Sequence, residues 1–251
     1  MINEYVVMDL EMTGLAAKTD QIIEIGAIKV VNHEIVDTLS CIVNAHCNVP
    51  ERIVELTGIT NEMVQNGEEP EIAIPKLLDF IDGYVLVGQN LNFDFGFMKQ
   101  WAVNHKRPLE ACACDTLKIA RQLLPVDQSK KLSSLCEYFG IERQRAHRAL
   151  DDAIETWQVY ECLVKLAKSR GDMEELQVEE LFMPHPLTYH AKKQTPATAH
   201  QLQRLKEYRE KHHITEEIEW NNLTRSEASR IMDKYRFKYG RSEGLFAQQD
   251  G

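Results

Sequence analysis

No apolar run in this chain of 251 residues approaches the roughly 18–20 residues that span a bilayer, which argues against a membrane-spanning helix. The opening Met1-Ile2-Asn3-Glu4 lacks the basic and apolar parts of a secretory signal, so a cytoplasmic protein is expected. None of the six cysteines forms a CxxC pair or a zinc-type spacing, and they read as reduced thiols, several of them buried. Internal repeats and low-complexity tracts are also missing. Cationic residues are scarce, with 29 Lys and Arg against 39 Asp and Glu and a net charge of −10. That balance argues against tight, sequence-independent binding of long duplex, which rests on many cationic contacts to phosphate. It leaves room for an enzyme that grips a chain end through divalent ions, because such ions reverse the local sign of an acidic site.

What is present is ordinary for a soluble globular protein: 43% hydrophobic and 27% charged residues. Charge is uneven along the chain. Residues 1–170 carry −8, residues 171–184 carry −5, and residues 185–251 carry +3. The change of sign, with Pro184 and Pro186 beside it, marks a boundary. The expected organisation is a first domain over 1–170, a linker over 171–197, a small helical module over 198–240 and a tail over 241–251.

Tyr5–Leu10, Ile22–Val31 and Ile35–Val43 are rich in β-formers and read as a three-stranded antiparallel meander. A helical period follows over Ile72–Ile81, then a short strand over Tyr84–Val87, a helix over Phe93–Asn104, a last short strand over Ala111–Cys114 and helices to Leu166. This order predicts an α/β fold with a mixed five-stranded sheet flanked by helices. In the module, Thr198-Ala199-His200-Gln201 and Thr224-Arg225-Ser226-Glu227 are capping boxes that each open a helix. The pair makes a hairpin around Trp220. Its basic side chains, among them Arg204, Lys206 and Arg209, suit either a nucleic-acid strand or a protein partner, and its bland reading is a solvated hairpin with an aromatic mini-core.

Three acidic clusters carry candidate chemistry. Asp9-Leu10-Glu11 ends the first strand, where residues i and i+2 share a face, so two carboxylates project together from an apolar strand. Asp94 opens the helix after the middle strand, where a helix-start role is the plain alternative. His147-Arg148-Ala149-Leu150-Asp151-Asp152 leads into the last long helix, with Asp152 on the face of Ala149 and Thr156. Each cluster alone is a weak signal. Together, four carboxylates can hold two divalent ions about 4 Å apart, with histidine, which titrates near neutrality, taking a proton from water.

These segments resemble the DEDDh branch of the RNase H-like superfamily, and within it the proofreading epsilon subunit of bacterial DNA polymerase III. The matching stretches are Val7–Glu11 with Thr13-Gly14-Leu15, Ile22–Ala27, Leu56–Thr60, Asn90 with Phe93-Asp94, Asp115-Thr116-Leu117 and His147–Ala153, over roughly residues 4–168. The resemblance implies metal ligation by Asp9, Glu11, Asp94 and Asp152, with two Mg²⁺ or Mn²⁺ ions as cofactors and His147 as general base. It implies 3′→5′ polarity and release of nucleoside 5′-monophosphates. Thr13, Asn90 and Phe97 fall where the family handles substrate, and Phe97 equally suits the core. Gln89 stands where the family usually has histidine, and Met12 replaces a common threonine, which brings the first motif closer to oligoribonuclease.

The expected function is therefore a 3′→5′ exonuclease acting on single-stranded or frayed 3′ ends, DNA in preference to RNA, in proofreading or repair. The expected partners are nucleic acid and, through the module, a DNA polymerase or other replication protein. An exoribonuclease like oligoribonuclease or RNase T, a polymerase-associated scaffold and a binding module without catalysis are the alternatives.

Overall fold

The computed structural model describes residues 2–143, 145–218, 220–221 and 223–240. Its strands are β1 (Glu4–Met12), β2 (Ile22–Val31), β3 (Glu34–Ile42), β4 (Val85–Gly88), β5 (Cys112–Asp115) and β6 (His185–Pro186). The helices are α1 (Glu51–Thr57), α2 (Asn61–Gln65), α3 (Pro70–Ile81), α4 (Asn92–Asn104), α5 (Thr116–Leu123), α6 (Leu132–Phe139), α7 (Ala149–Ser169), α8 (Glu175–Leu181), α9 (Ala199–Lys211) and α10 (Arg225–Tyr239). Two compact units emerge, Met1–Ala191 and Lys192–Gly251.

The sheet runs β3-β2-β1-β4-β5-β6. β1, β2 and β3 pair antiparallel, whereas β1-β4 and β4-β5 pair parallel. β1 is central, and its alternation separates two cores. Val6, Met8 and Leu10 face one way, against Ile74 and Leu77 of α3 and Phe95 and Met98 of α4. Tyr5 and Val7 face the other way, against Ile119 and Ala120 of α5, Leu135 of α6 and Val159 and Leu163 of α7. Asp9 and Glu11 continue the Tyr5-Val7 series, so they point toward the face covered by α7. A register shift between Glu11 and Met12 ends regular pairing with β2 there.

The sheet has six strands, one more than the five expected. The sixth, β6, is a two-residue strand that pairs antiparallel with β5. The expected linker over 171–197 is also revised, since it contains α8 and β6. Val178 and Phe182 are buried in the α7-side core, and the Phe182 ring meets Tyr160 edge-on at 5.8 Å. The acidic composition of residues 171–184 masks this i, i+4 apolar pair, which is enough to fold the segment back onto the sheet.

The second unit is built as its capping boxes require. Thr198 and Thr224 each accept from the backbone N–H three residues on, and Gln201 and Glu227 reach back to the cap. Leu205, Tyr208, Ala228, Met232 and Tyr235 form its core. Lys206 and Arg209 lie over the Trp220 ring, at 5.3 and 5.6 Å from its centre. The tail over 241–251 lies outside the described residues. No helix of the described residues is long and apolar enough to cross a membrane.

Candidate active site

The site forms where β1 ends beside the start of α4 and the start of α7. The Leu10 N–H donates to Asp94 Oδ1 at 3.0 Å, so the α4 carboxylate docks on the backbone between Asp9 and Glu11. Asp94 lies in the first turn of α4, where the helix dipole favours negative charge. On the other side, ligand-capable atoms of Glu11, His147 and Asp152 all lie within 4.8 Å of one another. Three segments distant in sequence thus bring four acidic groups together, and His147 joins them.

The electrostatics are those of like charges in a confined, poorly hydrated space. Burial, then Asp94, Glu11, Asp152 and Glu24, hold the Asp9 carboxyl well above the usual range. Burial, Asp152, Glu24 and Asp94 push Glu11 up to about 8, with Arg148 opposing. Burial raises Asp94 to about 7, against the lowering effect of the backbone N–H groups that it accepts from. Among the described residues, Asp9, Glu11 and Asp94 form no ion pair with Lys or Arg.

The surrounding acids are compensated. Glu24 sits across from Glu11 in the β1-β2 register and is 2% exposed. It accepts from Arg148 Nη2 at 2.7 Å and from the Ala149 N–H at 2.9 Å, tying β2 to the first turn of α7. Gly26, two residues along the same face, lies against the Ala149 backbone: an added Cβ would sit 2.1 Å from its carbonyl carbon. Arg143 holds Asp152 and Glu155, each at 2.6 Å. Arg145 takes Asp151 at 3.0 Å, as suits the residue that points away from the cluster. His147 itself adopts a left-handed backbone, φ 60°, immediately before α7.

The three expected substrate residues are placed differently from one another. Thr13 is buried, and its Oγ1 accepts from the Gln21 N–H at 2.9 Å, pinning the loop after β1. Asn90 is exposed in a left-handed turn, φ 61°, with its N–H donating to Asp115 Oδ1 at 3.0 Å. The same Asp115 oxygen accepts from the Leu117 N–H at 3.0 Å, so it caps α5 as well. Phe97 is 4% exposed and packs edge-on against Phe93 in the core. Its ring is therefore committed to packing.

Sequence reasoning passed over Glu24, Arg143 and Arg148 as partners of the site. A glutamate in the otherwise apolar Ile22–Ile28 run was the available signal for the first. It also passed over a cavity of about 620 Å³ that opens beside His147 and Asp152, lined by Gln89, Arg121, Lys131 and Arg143 among others.

A mixed sheet with acidic groups converging from its central strand and from helices on either side is an RNase H-like fold. Solved structures share the fold: the nuclease domain of 3′hExo, a DEDDh family member bound to rAMP, superposes with a TM-score of 0.57 at 20% identity, covering 65% of this chain and 92% of that one. Exonuclease X in complex with 5′ overhanging duplex DNA gives 0.53 at 21% identity, covering 71% and 99%. The chain belongs to the RNase T exonuclease family, whose model matches residues 6–160, and it is an exonuclease-type enzyme. DNA polymerase III PolC-type of Clostridium perfringens (strain 13 / Type A) is 38% identical over 175 residues, 70% of this chain. Its Bacillus subtilis (strain 168) counterpart is 37% identical over 172 residues, 66% of this chain. The match spans only 12% of the length of either polymerase.

Proposed function

We propose that this chain removes nucleoside 5′-monophosphates one at a time from single-stranded or frayed 3′ ends of DNA, with Asp9, Glu11, Asp94 and Asp152 as metal ligands and His147 as general base. The observation that carries this reading is the set of carboxylates gathered around the end of β1, of which Asp9, Glu11 and Asp94 form no ion pair with Lys or Arg among the described residues. Oxygen donors of this kind fit hard divalent cations, and the raised affinity of Asp9, Glu11 and Asp94 for protons marks a place where positive charge is wanted. Two such ions, Mg²⁺ or Mn²⁺, would supply an acidified water and neutralisation of charge on the phosphate. In that reading His147 would accept the proton as the water oxygen bonds to phosphorus and the P–O3′ bond to the penultimate nucleotide breaks, the O3′ of the shortened strand taking a proton from solvent. Asn90, exposed at the start of α4, is the available contact for the terminal nucleotide, while Thr13 shapes the loop beside it and Phe97 supports the floor from within the core.

The test is a product time course on 5′-labelled and 3′-labelled DNA and RNA oligomers with Mn²⁺, comparing wild type with Asp9→Ala. Stepwise shortening from the 3′ end is expected, faster on DNA, with a loss of roughly 10³-fold or more in the variant. Internal cuts, or full activity in Asp9→Ala, would contradict the reading.

The polymerase III relatives favour DNA as substrate and an editing or repair role. The second unit, Lys192–Gly251, is then the natural recruiting element for a polymerase or other replication protein. Truncation after residue 191 should leave oligonucleotide shortening within about twofold of wild type, since the first unit has its own cores, while polymerase binding measured by calorimetry is lost. Retained binding would remove that role.

A further inference from the structure

The cavity beside His147 has a sign opposite to that of the protein as a whole. It lies among α5, α6 and the segment leading into α7, on the side of the sheet away from the Phe97 core. Arg121 on α5 and Lys131 at the start of α6 line it, both exposed, and neither forms an ion pair among the described residues. In a chain of net charge −10, two uncompensated cations on one cavity beside a nuclease centre are a specific arrangement. Leu132 and Ser133, in the first turn of α6, line the same wall, and that helix has no side-chain cap on its N–H groups. The connection before α6 is held in place by Gln89, whose Nε2 donates to the Lys130 carbonyl at 2.6 Å while its Oε1 accepts from Thr116. Lys131 therefore follows an anchored residue, and Arg121 stands on α5, the helix that Thr116 opens.

We propose that this cavity takes the sugar-phosphate backbone of the substrate strand on the 5′ side of the scissile bond, with Arg121 and Lys131 contacting its phosphates. The proposal rests on the exonuclease reading above and deepens it. The terminal nucleotide lies on the α4 side, near Asn90. The scissile phosphate lies at the carboxylates, and the rest of the strand leaves past His147 into a volume lined by Arg121 and Lys131. A volume of about 620 Å³ is of the size that holds a ligand of one or two nucleotides' bulk. Two phosphate contacts give modest affinity and a weak salt dependence, which is consistent with an acidic enzyme that handles chain ends.

The experiment measures binding and turnover separately in the full chain. Binding is read by fluorescence anisotropy with Mg²⁺ and a labelled decathymidylate whose 3′-terminal linkage is a phosphorothioate, over a range of salt. Turnover is read on an unmodified decathymidylate and on thymidine 5′-monophosphate p-nitrophenyl ester, which has no strand beyond the scissile bond. In Arg121→Gln/Lys131→Gln, Kd for the decamer should rise about fivefold per residue, the upper end for an exposed charge pair. The slope of log K against log salt should become shallower by about 1.4, the yield of two single-strand phosphate contacts. The ratio of kcat/KM on decamer to kcat/KM on ester should fall in parallel, and Lys168→Gln, a charge loss at the far end of α7, should leave that ratio where it was. An unchanged Kd and salt slope in the double variant, or no binding by wild type, would overturn the proposal. Binding with the expected slope but no hydrolysis of either substrate by wild type would support this cavity while refuting the exonuclease reading.

Discussion

The acids of this molecule fall into two groups that differ in what neutralises them. Glu24, Asp152 and Glu155 meet arginines at 2.6–2.7 Å. Asp9, Glu11 and Asp94 form no ion pair with Lys or Arg among the described residues and crowd one another and Asp152. A buried charge placed for structural reasons carries its counter-ion with it, because an unpaired one is strongly disfavoured. Three that do not are gathered at one point, and the function proposed above gives them a counter-ion from solution. Asp152 belongs to both groups: it is paired with Arg143, yet within 4.8 Å of Glu11 and His147.

The sharpest way to break this comparison is to remove a structural counter-charge. Glu24→Gln leaves Arg148 without its carboxylate and loosens the tie between β2 and α7. A loss of about 3 kcal/mol is expected, below the full value for a buried pair because Arg148 is partly exposed. That corresponds to a drop in Tm of about 6–12 °C for a domain of this size, read by calorimetry. A neutral or stabilising result would mean that Glu24 belongs with the unpaired acids.

A smaller effect follows from proton linkage. Below the ordinary carboxylate range, Glu11 and Asp94 are protonated in both folded and unfolded chains. As pH rises toward their raised values of about 8 and about 7, the unfolded chain ionises first, and folding is progressively disfavoured. In EDTA, Tm should therefore fall by about 5 °C between about pH 5 and about pH 8.5, and Mn²⁺ should restore it at the upper end. Glu11→Gln should flatten the profile. A Tm in EDTA that climbs over this window would show that these groups are not crowded as described.

The smallest effect concerns Asp152. Arg143→Gln releases it from its 2.6 Å partner, so the Mn²⁺ concentration giving half-maximal activity should fall about threefold, the scale of a partly exposed pair. A rise would assign Arg143 the task of orienting Asp152 for the ion.

Much of this was legible in the sequence, for local reasons. The β-branched runs gave β1, β2 and β3 to within a few residues, and the two capping boxes gave the starts of α9 and α10. Strand alternation put Asp9 and Glu11 on one face, and helical period turned Asp152 inward while Asp151 stayed at the periphery. What was not legible was pairing across the fold. Arg148 and Glu24 are 124 positions apart, and nothing local to either announces the other. The sixth strand is two residues long, too short for a periodic signal, and follows directly on α8, whose Val178 is buried in the α7-side core. Phe97 occupied an ambiguous position, and only the surrounding Phe93 and α4 packing decides for the core.

The hydrogen atom that serves Gly26 as a side chain works as a gauge block. α7 rests directly on the β2 backbone at that point, and Asp152 rides on α7 one turn further on. A methyl group there would lift the helix end by more than about 1 Å, a misplacement that can cost roughly 10²-fold in rate when it reaches reacting atoms. The spacing of the clustered carboxylates is in this sense machined by a residue with no functional group at all.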